Sequence, residues 1–485
     1  MIDHRIVRRL EEIVGPTHVL VQPEDVLVYE QDGYVLSQSL PDAVVLPGST
    51  EEVAAVVRTC VEHGIPLVPR GAGTGLAGGA IPITGGIVLA LTRMNRILEI
   101  DPRGRLAVVE AGVINADLNA AVSPYDLFFA PDPGSQTAST IGGNIANNAG
   151  GPHCLAYGVT ANHILGVEVV LADGNVVWFG GRTCETPGYD LTGLLVGSEG
   201  TLGIVTKATV RLMRKAEGVR TLLAIFQGIE EASQAVSDII AAGIIPTAME
   251  MLDAMTLRIV EEAVHAGYPL DAGAVLLIEV ETTGEILDRL IAQIQGLCSA
   301  NGAREIRTAT TEEERRLLWK GRKEAFGALG RYMSSLYLAD TVVPRHALPA
   351  VMRQIAEIGE RHGIPIANFF HAGDGNLHPT LLFDGRSPEA WERVVAAGEE
   401  IMRVCIEAGG TITGEHGVGI EKRAYMSWMY SEADLQAMAR VKAAFDPHGL
   451  LNPGKIFPAG EKEAHPPLVQ KITTGTTRRE GEMWT

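Results

Sequence analysis

Cysteine is scarce in this chain and comes unpaired: Cys60, Cys154, Cys184, Cys298 and Cys405 lie far apart among 485 residues, with no CxxC and no CxxCH spacing. An odd, scattered set argues for a reducing compartment and against an iron–sulfur cluster or c-type haem held by this chain. Long apolar runs are missing as well. No stretch reaches the roughly 18 apolar residues of a membrane helix, and the opening MIDHRIVRRLEEIVG reads as an amphipathic helix without a long apolar core. Secretion and membrane spanning are both disfavoured, and a cytoplasmic location is expected. Cations are in deficit too, 40 Lys and Arg against 59 Asp and Glu, for a formal net charge of −19. That field repels phosphate backbones and anionic headgroups, which argues against nucleic-acid binding and polybasic membrane anchoring. A small anionic substrate would need a local cationic clamp. No fixed-period repeat is present.

What remains is a globular composition, 46% hydrophobic and 20% charged, in a chain long enough for two or three domains. From residue 43, AVVLPGSTEEVAAVVRTCVEHGIPLVPRG reads as a strand, a Ser49-x-x-Glu52 capping box, a helix with apolar Val53, Val56, Val57 and Cys60, a stop at Gly64 and Pro66, and a second strand: a βαβ unit. Gly-rich loops and short β-like runs (RLAVVEAGV, GVEVVLADG, GTLGIVTKATVRLM) continue to about residue 213. They then give way to helices alternating with strands such as AVLLIEV, which puts a domain boundary near 215. SPEAWERVVAAGEEIMRVCIEAGG is an amphipathic helix closed by Gly409 and Gly410, and the polar, aperiodic segment 459–485 reads as a mobile tail.

VPRGAGTGLAGGA, residues 68–80, places five glycines directly after a strand. Gly73-x-Gly75-x-x-Gly78 fits the dinucleotide fingerprint in letters only, because Pro82, Gly85 and Gly86 prevent the helix that a Rossmann loop must open. A nest of backbone N–H groups for a phosphate needs glycine but no helix. PDPGSQTASTIGGNIANNAGG (131–151) and GSEGTLGIVT (197–206) add two further loops of small and amide-bearing residues.

The three loops, in this order, resemble the flavin-binding domain of the vanillyl-alcohol oxidase type. The resemblance implies FAD lined by Arg70, Gly71, Ala72, Gly73, Thr74 and Gly75 of the first loop. From the second loop it implies Pro133, Gly134, Ser135, Thr140, Gly142, Gly143 and Ala146, and from the third Gly200 and Ile204. Relatives that bind flavin covalently do so through a first-loop histidine. This loop carries Thr74 and no histidine, so noncovalent FAD is expected.

NFFHAGDGNLHPTLLF sets an Asp374-Gly375 turn between two apolar runs. A two-residue hairpin loop would place His371 directly opposite His378, Cβ atoms about 5 Å apart, both able to reach one metal ion. GGTITGEHGVGIEKR sets Glu415 beside His416 in an extended segment where neighbours point to opposite sides, so that one completes a His/His/Glu site and the other faces a substrate. Such a set suits Zn, Mn or Fe better than Mg or Ca.

LHPTLLF, GEHGVGIEK and FDPHGLLNPGKIFP together resemble the C-terminal domain of FAD-linked 2-hydroxy-acid dehydrogenases, nearest to the branch of the bacterial glycolate oxidase FAD-binding subunits, with the D-lactate dehydrogenases next. The likeness spans about residues 40–458. It implies an α+β fold: a two-subdomain FAD-binding domain (1–215), an α+β cap domain for substrate and metal (216–424), and a C-terminal helical segment (425–458) returning to the FAD domain. It further implies His371, His378 and Glu415 as metal ligands, His416 as base, and Asn452 near the flavin. Arg322, in LLWKGRKEAF, would pair with the substrate carboxylate, as an Arg fork suits that group. Leu338 stands where relatives acting on dicarboxylates carry a basic residue, which favours glycolate or D-lactate over D-2-hydroxyglutarate. Two other classes are set apart by the same motifs. The ether-forming transferase branch has a histidine triplet where Gly414-Glu415-His416 stands, and an electron-transfer module would need no metal constellation. The resemblance also implies electron-accepting partners, either a second flavin-binding subunit with an iron–sulfur subunit or an electron-transferring flavoprotein. Through such partners the chain would lie peripheral to the inner membrane.

Overall fold

The computed structural model describes residues 2–183 and 187–459; the expected tail, apart from its first residue, lies outside them. The chain begins with the expected helix, His4–Val14, whose Leu10 and Val14 are buried. The βαβ unit forms but is split. Strands Ala43–Val45 and Leu67–Arg70 each pair in parallel with Ile87–Ala90, which inserts between them, and Val19–Leu20 closes the sheet antiparallel to Ala43–Val45. The intervening helix Thr50–Glu62 is capped by Ser49 Oγ, which accepts from Glu52 N at 3.3 Å. Only half of the capping box forms: the Glu52 carboxylate accepts from Gly48 N at 2.7 Å and stands 3.8 Å from Arg93, whose charge draws it one residue upstream.

The three glycine-flanked β-runs build a five-stranded antiparallel sheet in the order Ile97–Asp101, Leu106–Glu110, Ile204–Arg211, Ile164–Val170, Val176–Gly180. The short helix Ile141–Asn147, capped by Thr140 Oγ1, packs Ile141 and Ile145 into the core between this sheet and its neighbours.

A larger antiparallel sheet follows, with Glu305–Thr308, Gly218–Phe226, Ala274–Thr282, Ala248–Asp253, Ile366–His371, Asn376–Leu377 and Thr341–Val342 in spatial order; Pro379–Phe383 also pairs with Ile366–His371 and carries Ser335–Leu338. Both faces are covered, which is why AVLLIEV is apolar on both faces rather than alternating, apart from the buried Glu279, which accepts from Thr221, Arg315 and Trp319. The strand period sorts its residues cleanly. Leu222, Ala224, Phe226, Met249, Met251 and Phe370 meet helices Ile229–Ala241, Leu348–His362 and Pro388–Glu407 on one face. Leu223, Ile225, Leu252 and Phe369 meet Ala254–Val264, Glu312–Lys323 and Ala325–Tyr332 on the other. Glu250 and His371, paired in register, fall on this second face.

After the helix Glu432–Phe445, the chain returns to the first sheet. Leu67 N donates to Leu450 O and Asn452 N to Leu67 O, a parallel bridge along the free edge of Leu67–Arg70. No helix among the described residues is long and apolar enough to cross a membrane.

Because Phe370 is fully buried between the large sheet and its helices, Phe370→Ala should destabilise the protein by about 3–5 kcal/mol, read as a lower urea midpoint at unchanged slope. A loss under about 1 kcal/mol, typical of surface sites, would show that this layer is not tightly packed.

Candidate active site

One cavity of about 660 Å³ lies between the first two sheets' loops and the second face of the large sheet. All three glycine-rich loops line it, and every residue expected of them does so: Arg70 to Gly75, Pro133, Gly134, Ser135, Thr140, Gly142, Gly143, Ala146, Gly200 and Ile204. At its other end stand Arg322, Leu338, Phe369, His371, His378, Glu415 and His416.

The first loop runs from Arg70 to Ile87 without a helix, as the Gly-Pro content requires. It lies so close to its neighbours that side chains are excluded. A Cβ on Gly71 would overlap Thr140 Oγ1, the cap of the Ile141–Asn147 helix, and one on Gly200, at φ +71°, would overlap the Pro69 ring. Backbone is therefore presented bare to the cavity, which suits a flat cofactor with a pyrophosphate. Asn452 is not among the residues that line the cavity. It lies behind the cavity wall, its Nδ2 donating to Gly79 O (2.9 Å) and Glu199 O (2.7 Å), because its main-chain bond to Leu67 and its left-handed φ of +42° turn the amide beneath the loops.

The hairpin also differs. His371 pairs with Asn376, not with His378, across a four-residue turn. Asp374 Oδ1 accepts from Asn376 N, and Asn376 Nδ2 is drawn to Asp340 Oδ1 at 2.7 Å, which shifts the register. His378 therefore sits diagonally from His371 on the same face, and the rings still meet edge to face with centroids 5.0 Å apart. Glu415 Oε1 lies 3.2 Å from His371 Nε2 and 3.3 Å from His378 Nε2. Tetrahedral ligands at about 2.05 Å from one zinc would be spaced by about 3.3 Å; both distances from Glu415 match that spacing, and the three ligand atoms lie within 4.8 Å of one another.

Glu415 and His416 do not point to opposite sides of a strand. Their segment is bent because the buried Asp340 carboxylate collects the N–H groups of Gly414 (3.0 Å) and His416 (3.1 Å), curling the chain around one acceptor. Both side chains consequently converge on His378, and the His416 ring stacks parallel on it at 5.3 Å. Burial, aided by the neighbouring His378 and Lys422 charges and opposed by Asp340, pushes His416 down to about 4. It is poised as an unprotonated base. Burial opposes charge on His371, yet Glu250 and Glu415 hold its pKa well above the ordinary value. Burial likewise opposes ionisation of Glu415, but the two imidazoles keep it well below the carboxylate range.

Arg322 is buried, not part of the exposed basic face of its helix. Its Nη2 lies 2.6 Å from Glu250 Oε2, its Cζ lies over the Phe369 ring, and its Nε has no partner. Glu250 also accepts from His371 Nδ1 at 2.8 Å, fixing that ring with Nε2 toward the cavity. Sequence reasoning passed over both Glu250 and Asp340. Each left a signal: a carboxylate within an otherwise largely apolar run, AMEML and YLADTVV.

Residues 41–180 match the family described as FAD binding domain, and residues 215–456 match FAD linked oxidases, C-terminal domain. The chain is 44% identical to glycolate oxidase subunit GlcD of Escherichia coli K12, over 93% of this chain and 91% of that one, and 46% identical to GlcD of Bacillus subtilis, over 94% and 97%. It is 35% identical to a D-lactate dehydrogenase of Archaeoglobus fulgidus, over 85% and 90%. In fold it is similar to p-cresol methylhydroxylase, with a TM-score of 0.79 at 19% identity over 93% of this chain and 96% of that one. The corresponding figures for 4-ethylphenol oxidase from Gulosibacter chungangensis are 0.78 and 23% over 94% and 97%. These neighbours share the flavin fold of the vanillyl-alcohol oxidase type, and with the two family matches they establish that the chain belongs to the FAD-linked 2-hydroxy-acid dehydrogenase family.

Proposed function

We propose that this protein oxidises glycolate or D-lactate to the 2-oxo acid, using noncovalent FAD and one divalent metal, and hands the electrons to a separate partner. The observation that carries the reading is the meeting, in one cavity, of three bare-backbone loops with a His/His/Glu cluster, a neutral histidine and a buried guanidinium. Bound FAD supplies the hydride acceptor at N5. His371, His378 and Glu415 would hold a divalent ion, which would lower the pKa of the substrate hydroxyl. The Arg322 guanidinium would pair with the substrate carboxylate, while Glu250 holds it in place. His416 takes the hydroxyl proton at Nε2, the nitrogen on the Glu415 side of the ring. Leu338 and Phe369 make the adjoining wall apolar, which favours a small monocarboxylate. The division of the chain at 215 and 424 belongs to the same proposal. It is supported by cores drawn almost wholly from one side of residue 215 or the other. So does the acceptor, a second flavin-binding subunit with an iron–sulfur subunit or an electron-transferring flavoprotein; the relatives' name as a subunit supports the first.

Anaerobic addition of glycolate or D-lactate should bleach the flavin, whereas D-2-hydroxyglutarate should do so poorly. Since Arg331 and Lys323 also line the cavity, bleaching by the dicarboxylate alone would overturn the substrate assignment.

Chelation should abolish that bleaching while leaving the flavin spectrum intact, and His371→Ala or His378→Ala should mimic it. His416→Asn should keep the metal and slow reduction by about 10²–10⁴-fold, the worth of general base catalysis. Full activity in either histidine-to-alanine variant would refute the shared ion, and loss of metal from His416→Asn would reverse the roles of Glu415 and His416.

A further inference from the structure

Glu199 lines the same cavity, yet the chemistry above makes no use of it. It is 5% exposed, and its backbone lies in the left-handed region at φ +53°, between Gly197 and Gly200, which share that sign. A residue with a side chain keeps such a conformation only where its surroundings over-determine it.

Those surroundings are specific. The carboxylate accepts from Val418 N on Oε1 at 2.7 Å and from Gly419 N on Oε2 at 2.8 Å, the second and third residues beyond His416. Gly417 lies between, at φ +83°, where a Cβ would stand 2.9 Å from Glu199 Oε1; the segment reaches the carboxylate because it is bare there. The main chain of Glu199 is tied to the flavin loops. Its N–H donates to Ala146 O at 2.9 Å, and its carbonyl accepts from Asn452 Nδ2, whose other bond goes to Gly79 O. Two more contacts hold the same segment: Asn147 Nδ2 donates to His416 O at 2.7 Å, and Ile420 N donates to Ala77 O at 2.9 Å. Residues 416–420 thus rest on all three loops, and Glu199 is the side chain that grips the segment twice.

We propose that Glu199 is a positioning residue that sets His416 relative to the FAD-lined loops through Val418 and Gly419, so that filling the cavity and placing the base are coupled. The proposal rests on the reading of His416 as the base. Two backbone donors on one carboxylate fix the segment more firmly than neutral acceptors would. Glu199→Gln keeps one acceptor and turns an NH₂ group against the other N–H. Glu199→Ala leaves both N–H groups buried without a partner.

The test uses the full chain loaded with FAD and metal, reduced anaerobically by whichever of glycolate and D-lactate the wild type accepts. Because a misplacement of about 1 Å can cost about 10²-fold, Glu199→Gln should slow flavin reduction at saturating substrate by about 10–10²-fold. FAD content should stay unchanged and half-saturation should move by less than about 3-fold, a rate effect rather than a binding effect. A merely structural role would lower the melting temperature and the FAD content and leave the rate of the flavin-loaded fraction as it was. Hydrogen exchange gives a readout independent of turnover, and it decides the matter even if the variant fails to fold. In the wild type, the amides of Val418 and Gly419 should exchange at least about 10-fold faster once FAD is stripped, while those of the Ala274–Thr282 strand stay protected. Unchanged exchange on removal of FAD, or wild-type reduction by Glu199→Gln beside a slowed His416→Asn, would overturn the coupling. Wild-type reduction by His416→Asn would instead fault the reading of the base.

Discussion

A carboxylate taken out of water must be surrounded by donors, and Asp340, fully buried, is met from three directions. Asn376 Nδ2 reaches it from the hairpin beyond His371, Thr413 Oγ1 and the N–H groups of Gly414 and His416 from the bent segment, and the equally buried Lys422 from below. Burial opposes its ionisation, but the Lys422 charge and the Thr413 hydroxyl hold it well below the carboxylate range. The register of the hairpin and the bend that turns Glu415 and His416 toward His378 both answer to this one demand. Removing the carboxylate would leave Lys422 as an uncompensated buried charge, which is costlier than the pair itself is favourable.

The two histidines of the cluster stand on a sheet packed on both faces, whereas their carboxylate partner and the stacked base stand on a segment with no ladder of its own. Asp340 joins that segment to the sheet, and Glu199 and Asn147 join it to the flavin loops. The site is thus held by these polar contacts and by Ile420, which packs against Tyr34 and Ile81 of the flavin-loop side. For the local cationic clamp that the net charge of −19 calls for, the proposed group is the buried Arg322 guanidinium, ion-paired with Glu250, in a cavity that Arg70, Lys323 and Arg331 also line. A buried Arg⁺ in low dielectric attracts an anion more strongly than several exposed lysines, so little positive charge is needed.

Much of this was legible in the residues. Glycine content and the missing helix identified the first loop as a cradle. The strand and helix periods marked the βαβ unit and the alternation of helices with strands beyond residue 215, and the histidine motifs named the cluster. What escaped had long-range causes. The insertion of Ile87–Ala90 between the strands of the βαβ unit follows from sheet pairing that no local pattern encodes. The hairpin register and the bend at Glu415 were set by Asp340, more than 30 residues from either, and a turn read locally could not include it. The resemblance put Asn452 near the flavin, but that its amide would bond the carbonyls of Gly79 and Glu199, with its backbone committed to Leu67, no local pattern shows.

That commitment has a kinetic side. Asn452 bonds Gly79 at a sequence separation of 373, and Lys455 bonds Ile81 at one of 374. The edge of the first sheet and the floor of its glycine loop are therefore completed by some of the last-made residues described. Loop-closure entropy must be spent before such contacts return anything, so they form late. During synthesis the Leu67–Arg70 edge waits, unpaired, for nearly the whole chain to emerge, and an open strand edge is a template for pairing with other chains. The proline at position 69 and the glycines that follow it make that edge a poor partner for a stranger while it waits.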